Sequence, residues 1–205
     1  MRADARKNYH QLLAVAREAI EEHGADASLR DIARKADVGL GTLYRHFPTR
    51  EALLEALLRT TLDELTQKAA ELEASHSPDE ALRSFFREGV EFVRTYRGIV
   101  EVMAAAIADE GSALHASCVT VRAAGASLLL RAQVEGLARA GMDGADLFAL
   151  MAALGWLGDQ ASFAPRAGHL FEIVVSAILT NRSKSHVGAH VGERRDTDPS
   201  GQKSK

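Results

Sequence analysis

The stretch "SLRDIARKADVGLGTLYRHFPTREALLEAL", from Ser28 to Leu57, decides the fold. Ser28 is an N-cap residue type, and Asp31 follows at the third helical position in the manner of a capping box. Leu29, Ile32, Ala33 and Ala36 then recur at helical spacing. "ADVG" reads as a tight turn. A second short helix follows from about Leu40 to His46 and turns Leu43 and Phe47 inward. Pro48 interrupts the chain. Thr49 can cap a long helix to about Ala74, whose apolar stripe is Leu53, Leu54, Leu57, Leu58, Leu62 and Leu65.

Upstream, Leu12, Leu13, Ala16, Ala19 and Ile20 give the same period over about Ala3 to His23, with Gly24 as a stop. Three helices with a short turn between the second and third form a helix-turn-helix. Downstream, "SPDE" (Ser77 to Glu80) carries a Ser cap, Pro at the first position and Glu at the third. It opens a helix to about Tyr96 that buries Leu82, Phe85, Phe86, Val90 and Val93. Breaks at Gly98 and Gly111 bound a short apolar helix, Ile99 to Ala108. A long helix is expected from Ser112 to Ala140, carrying Leu114, Val121, Leu128, Leu129 and Val134 and ending at Gly141. Asp143 with Asp146 starts another through about Asp159, and Pro165 precedes the last, through about Thr180. No segment reads as a strand. From Asn181 the periodicity ends, and residues 182–205 read as a disordered tail. The fold class is all-α.

Composition narrows the function classes. A hydrophobic share of 46% over 205 residues is ample for a core, and few prolines suit helices. No apolar run approaches the ~20 residues of a membrane span. The N-terminus is charged and periodic rather than signal-like. A single cysteine, Cys118, excludes an internal disulfide framework and suits a reducing cytoplasm. The expected localisation is cytoplasmic, with no membrane partner. Net charge is −3, unevenly spread: +1 over residues 1–59, −7 over 60–181 and +3 over 182–205. A nucleic-acid surface would have to be a local patch in the first segment.

The helix from Leu40 to His46 has the residues for such a patch. Gly41 admits close approach, Thr42 offers a hydroxyl and a methyl to a base edge, and Arg45 can reach a guanine or a phosphate. Tyr44 and His46 have the reach and the donors for phosphate oxygens. Free amides at helix N-termini recruit Ser28, and Thr49 with Arg50. Arg30 points the same way as Ser28, towards a base. Leu40 can touch a thymine methyl.

These residues resemble the DNA-binding signature of the tetracycline-repressor (TetR) family of bacterial regulators. The matching features are Ser opening the second helix, an Ile-Ala pair, Gly-Thr-Leu-Tyr-x-His-Phe, and Arg before an acidic residue. The resemblance covers about residues 8 to 58. Ala-Asp-Val-Gly replaces the commoner Ala-Gly-Val-Ser in the turn, which implies a left-handed position for Asp37 that Asp tolerates. Leu40 stands where related proteins often have a polar, base-reading residue. The resemblance implies about nine helices and a homodimeric repressor on a palindromic DNA operator, released by a small-molecule effector. It also implies residues 1–48 as DNA-binding domain, a connecting helix over 49–74, and residues 49–181 as ligand-binding and dimerisation domain. The alternative is a small-molecule binding or carrier protein with a degenerate helix-turn-helix. The acidic second segment and Leu40 allow it; Thr42, Tyr44, Arg45, His46 and Arg50 together oppose it.

A dimer surface is expected on the last two helices, where apolar residues run nearly all round. Its residues are Leu147, Leu150, Met151, Leu154, Leu157, Phe171, Val174, Val175 and Ile178. An effector pocket is expected among Phe92, Tyr96, Met103, Ile107, Leu128 and Trp156, large and mid-domain. Such a lining suits many apolar effectors. Other constellations carry little. Cys118 reads as a quiet buried thiol. His186 and His190 have a zinc-pair spacing without a helix or a third ligand. Arg122 and Arg131, nine residues apart, form no anion clamp. No catalytic motif, cofactor loop or metal set is present, and an enzyme is not expected.

Overall fold

The computed structural model describes residues 2–23, 27–96 and 99–180. The expected tail, 182–205, and the pair His186 and His190 lie outside the described residues. The described residues form nine α-helices: α1 (Arg2–His23), α2 (Leu29–Lys35), α3 (Leu40–His46), α4 (Arg50–Ser75), α5 (Pro78–Thr95), α6 (Ile99–Ala108), α7 (His115–Val134), α8 (Gly144–Asp159) and α9 (Ala167–Ile178). The all-α expectation holds, and the only bridge among the described residues is an isolated antiparallel pair, Ala138 with Leu179.

Local signals set the helix starts. Ser28 accepts from the Asp31 amide at 3.3 Å, though the Asp31 carboxylate turns to Arg34 (2.9 Å) rather than closing a box. Thr49 accepts from the Ala52 amide at 3.1 Å. Asp143 and Asp146 make a complete reciprocal box. Ser77 departs from expectation: its hydroxyl donates to the Glu80 carboxylate at 2.8 Å and does not cap the backbone. Pro78 still opens α5, because its missing N–H would be unsatisfied in that first turn anyway.

The expected long helix over Ser112–Ala140 is shorter at both ends. Ser112 sits in a turn, accepting from the Leu114 amide at 3.3 Å. At the other end Gly136 adopts φ 69°, which ends α7 before Gly141. Leu137 to Arg139 then pair with the chain's far end: the Arg139 amide donates to Ile178 O (2.9 Å) and Thr180 N to Leu137 O (3.0 Å). Val134, expected in the apolar stripe, is left exposed at the helix end.

The core is one continuous set of buried residues. Leu12, Ala16 and Ile20 of α1 meet Ile32, Ala33, Leu43 and Phe47 of α2, α3 and their neighbouring loop. The buried face of α4 runs from Leu53 to Leu72, and the helix packs against α1, α5 and α7. An ion pair reinforces the first contact: Arg17 donates to both oxygens of Glu64, at 3.0 and 2.8 Å. Burial works against the Arg17 charge, but the hydrogen bond and charge of Glu64 outweigh it and raise the guanidinium's pKa.

Among the later helices α5 and α8 approach most closely. Gly155 lies against Val93, and Val90 O is 3.2 Å from where its Cβ would stand. Gly155→Ala would push α8 off α5 or force Val93 from its rotamer, so a loss of about 1–3 kcal/mol is expected. Urea denaturation of the variant measures it; an unchanged midpoint would contradict the close approach.

Candidate nucleic-acid interface

The geometry of α3 begins in the turn before it. Ala33 O accepts from the Val38 amide at 3.0 Å and Arg34 O from Asp37 at 3.1 Å. Asp37 takes φ 52°, the left-handed conformation anticipated at that place. Gly39, extended, then accepts from the amides of Thr42 (2.8 Å) and Leu43 (3.1 Å) to start the helix. Leu43 is wholly buried and Phe47 is 2% exposed, so two anchors fix which edge of α3 faces out.

That outer edge carries Gly41, Tyr44 and Arg45, all exposed, flanked by half-buried Leu40, Thr42 and His46. Tyr44 is 45% exposed, unusual for a large ring with no packing partner to gain from outside the chain. A Cβ on Gly41 would meet nothing of this chain within 4 Å. Nothing internal therefore requires glycine, the least favourable residue for a helix after proline. Leu40 lies partly against the core.

Tyr9 of α1 was not anticipated. Its ring lies 5.1 Å from Phe47 and edge-on to His46 at 6.1 Å, bracing the end of α3. The spacing Tyr9, Leu12, Leu13, Ala16 was the signal for it. Ser28 and Arg30 are exposed at the start of α2. The N-terminus of α4 is more occupied than expected. Arg50 donates to Ala27 O at 2.8 Å, tying α4 to the segment before α2. The Glu51 carboxyl is held below its usual range by its own backbone amide and by the Thr49 hydroxyl.

A mostly apolar cavity of about 200 Å³ lies between α4, α5, α6, α7 and α8. Phe92, Met103 and Ile107 line it as anticipated, together with Leu62, Leu65, Phe85, Phe148 and Met151. Arg122 is the one charged residue in the lining. Three expected lining residues are placed elsewhere. Leu128 is sealed in the core. Trp156 is 58% exposed, since α8 buries Met151, Leu154, Gly155 and Gly158 and turns Trp156 to the opposite side. Tyr96 faces a neighbouring polar cleft of about 350 Å³, which shares Leu65 and Phe92 with the cavity. Its hydroxyl is 3.3 Å from Thr61 Oγ1, and burial pushes its pKa up. Cys118 is fully buried, and burial pushes its thiol up as well.

The expected dimer residues need a similar correction. Leu147, Met151, Leu154, Phe171, Val175 and Ile178 are buried in the protomer's own core and offer little surface to a second copy. Leu150, Leu157 and Val174 are half-buried. Exposed apolar residues in this part of the chain include Ala153, Trp156, Phe163, Ile173 and Ala177.

Comparison with known proteins completes the picture. The chain is 32% identical to a TetR transcriptional regulator from Streptomyces coelicolor, SCO0520, covering 84% of this chain and 99% of that one, with a TM-score of 0.66. The chain belongs to the TetR family. Residues 12–57 match the pattern described as bacterial regulatory proteins, tetR family. Residues 77–178 match that of the SbtR-like transcriptional regulator C-terminal domain. A TetR regulatory protein from Mycobacterium vanbaalenii is similar at 29% identity over 87% of this chain and 99% of that one, with a TM-score of 0.57. An HTH-type transcriptional regulator of Staphylococcus aureus is 34% identical over 64 residues. Those residues are 31% of this chain, and the match spans only 35% of the curated relative's length. The matched families and the named relatives are transcriptional regulators, not enzymes. Among the described residues no helix is long and apolar enough to cross a membrane.

The turn offers a direct check. Asp37→Val puts a β-branched residue at positive φ and is expected to cost about 1–2 kcal/mol, whereas Asp37→Gly is tolerated. Thermal denaturation of both variants tests this, and equal melting temperatures would contradict the left-handed turn.

Proposed function

We propose that this TetR-family chain is a homodimeric repressor that leaves a palindromic operator when a small molecule binds. Residues 1–48 would be the DNA-binding domain, 49–74 the connecting helix, and 49–181 the ligand-binding and dimerisation domain. The observation that carries this reading is the outer edge of α3. Gly41 has no internal neighbour to accommodate, and Tyr44 and Arg45 project beside it. The major groove of DNA is wide enough for such a helix. In this reading Thr42 and Arg45 meet base edges, while Tyr44, His46 and Ser28 meet phosphates. Arg30 and Leu40 flank them, and Thr49 and Arg50 approach the backbone from α4. A regulator of chromosomal DNA works in the cytoplasm.

One α3 touches few base pairs, so specificity calls for two copies at half-sites about 34 Å or a multiple apart. The exposed apolar residues Ala153, Trp156, Ile173 and Ala177 of α8 and α9, rimmed by Leu150, Leu157 and Val174, support pairing through that face. A ligand weakens DNA binding only by favouring a state in which the two heads are misplaced. The cavity supports this because α4 supplies Leu62 and Leu65 to its wall and meets α1 through Arg17 and Glu64.

Gel-shift titration with DNA upstream of the reading frame, at two salt concentrations, tests the reading. Specific binding should survive competitor DNA and weaken with salt. Tyr44→Ala should lower operator affinity about 10- to 100-fold with the dimer intact by sedimentation; normal binding would sink the assignment of α3. Ile173→Glu should give folded monomers by sedimentation and lose operator binding. A variant that stays dimeric would move the pairing face elsewhere.

A further inference from the structure

Arg122 is the anomaly of the cavity. Every other residue lining it is apolar. The other arginines nearby are engaged. Arg131, also on α7, donates to Glu73 O at 2.7 Å. Arg94 pairs with Glu91 at 2.7 Å, and Arg83 and Arg87 both pair with Glu172. In the polar cleft beyond Phe92, Arg17 pairs with Glu64, and Lys68 pairs with Glu71 just outside the lining. Arg122 forms no hydrogen bond or ion pair with any described residue, although it is half-buried. No carboxylate shares the cavity wall.

We propose that the effector is a small amphipathic acid, its carboxylate held by Arg122 and its apolar body lying against Phe85, Phe92, Phe148 and Met103. This rests on the reading of the cavity as an effector site. A guanidinium keeps its charge, and its planar fork matches a carboxylate bidentately. Charge-assisted pairs of that kind are stronger than neutral ones, more so beside an apolar wall. An arginine half-buried in such a lining can lay its methylene stem on the apolar wall and keep its charged head towards water. An amine would meet an unopposed positive charge there, and a wholly apolar ligand would leave that charge unanswered. The cavity, about 200 Å³, is small. It equals about seven waters at ~30 Å³ each, so a medium-length chain or one compact ring system suits it. Met103 and Met151 let the walls adapt.

The test is calorimetric titration of the full-length protein with octanoate, 1-octanol and octylammonium. Octanoate should bind at least ~10-fold more tightly than the alcohol, and Arg122→Gln should weaken octanoate about 10- to 100-fold while leaving the alcohol unchanged. Arg122→Lys should restore part of the loss. Ala104→Phe, on the α6 side of the cavity, should weaken acid and alcohol alike. Equal binding of acid and alcohol, indifference to Arg122→Gln, or preference for octylammonium would each overturn the proposal. Operator affinity, measured by anisotropy with the same ligands, separates the two layers. If acid and alcohol both release DNA equally, the effector reading stands and the acid assignment falls. If octanoate binds through Arg122 without changing DNA affinity, the acid site stands and the effector reading falls. Binding of none of the three overturns both.

Discussion

The burial of one face of α4 is the constraint on which the rest depends. Arg50–Ser75 contains neither Gly nor Pro, so the helix runs unbroken for about 39 Å at 1.5 Å per residue. Its buried positions Leu53, Ala56 and Leu57 give way without a gap to Leu62, Ala69 and Leu72. The first three helices are too short a segment to bury much apolar surface alone. They borrow the first turns of α4 as the floor of their core. The same helix then becomes a wall of the cavity. Three threonines in its middle, Thr60, Thr61 and Thr66, donate to carbonyls four residues back, each at 3.0 Å. Such bonds favour slight bending, and they cluster around Leu62 and Leu65, where α4 becomes the cavity wall.

This continuity explains how an exposed edge can be positioned by so few residues. Leu43 and Phe47 set the rotation of α3, Asp37 sets its angle of entry, and Tyr9 steadies its end. Gly41, Tyr44 and Arg45 are thereby released from packing. A helix that needs only two buried anchors can dedicate its other side to an outside surface.

The helix-turn-helix was legible in the sequence because its signals are local. Ser28 and Thr49 cap helices within their own first turns, and Asp37 signals its own backbone conformation. Contacts between distant helices were not so readable. In α8 the buried positions Leu147, Met151, Leu154, Gly155 and Gly158 follow helical spacing, but the large residues alone do not reveal that face. The two glycines do, since α5 lies against them. Ranking by size instead placed Trp156 inside and several core residues on a dimer surface. The end of α7 was misjudged because Gly136 and Gly141 are equally plausible stops until Leu137 to Arg139 find their partners near the chain's end. Arg122 was judged only against Arg131, its neighbour in sequence. Its significance comes from the apolar residues that four other helices bring around it.

The outward placement of Trp156 also gives the molecule a native reporter. It is the only tryptophan in the chain, and in the protomer its indole is in contact with water over more than half its surface. Emission from a lone, wet indole sits at long wavelength, and enclosing that ring shifts the spectrum to the blue. The colour of the protein's own fluorescence therefore tracks what covers one side of α8, without a label or a background of other indoles.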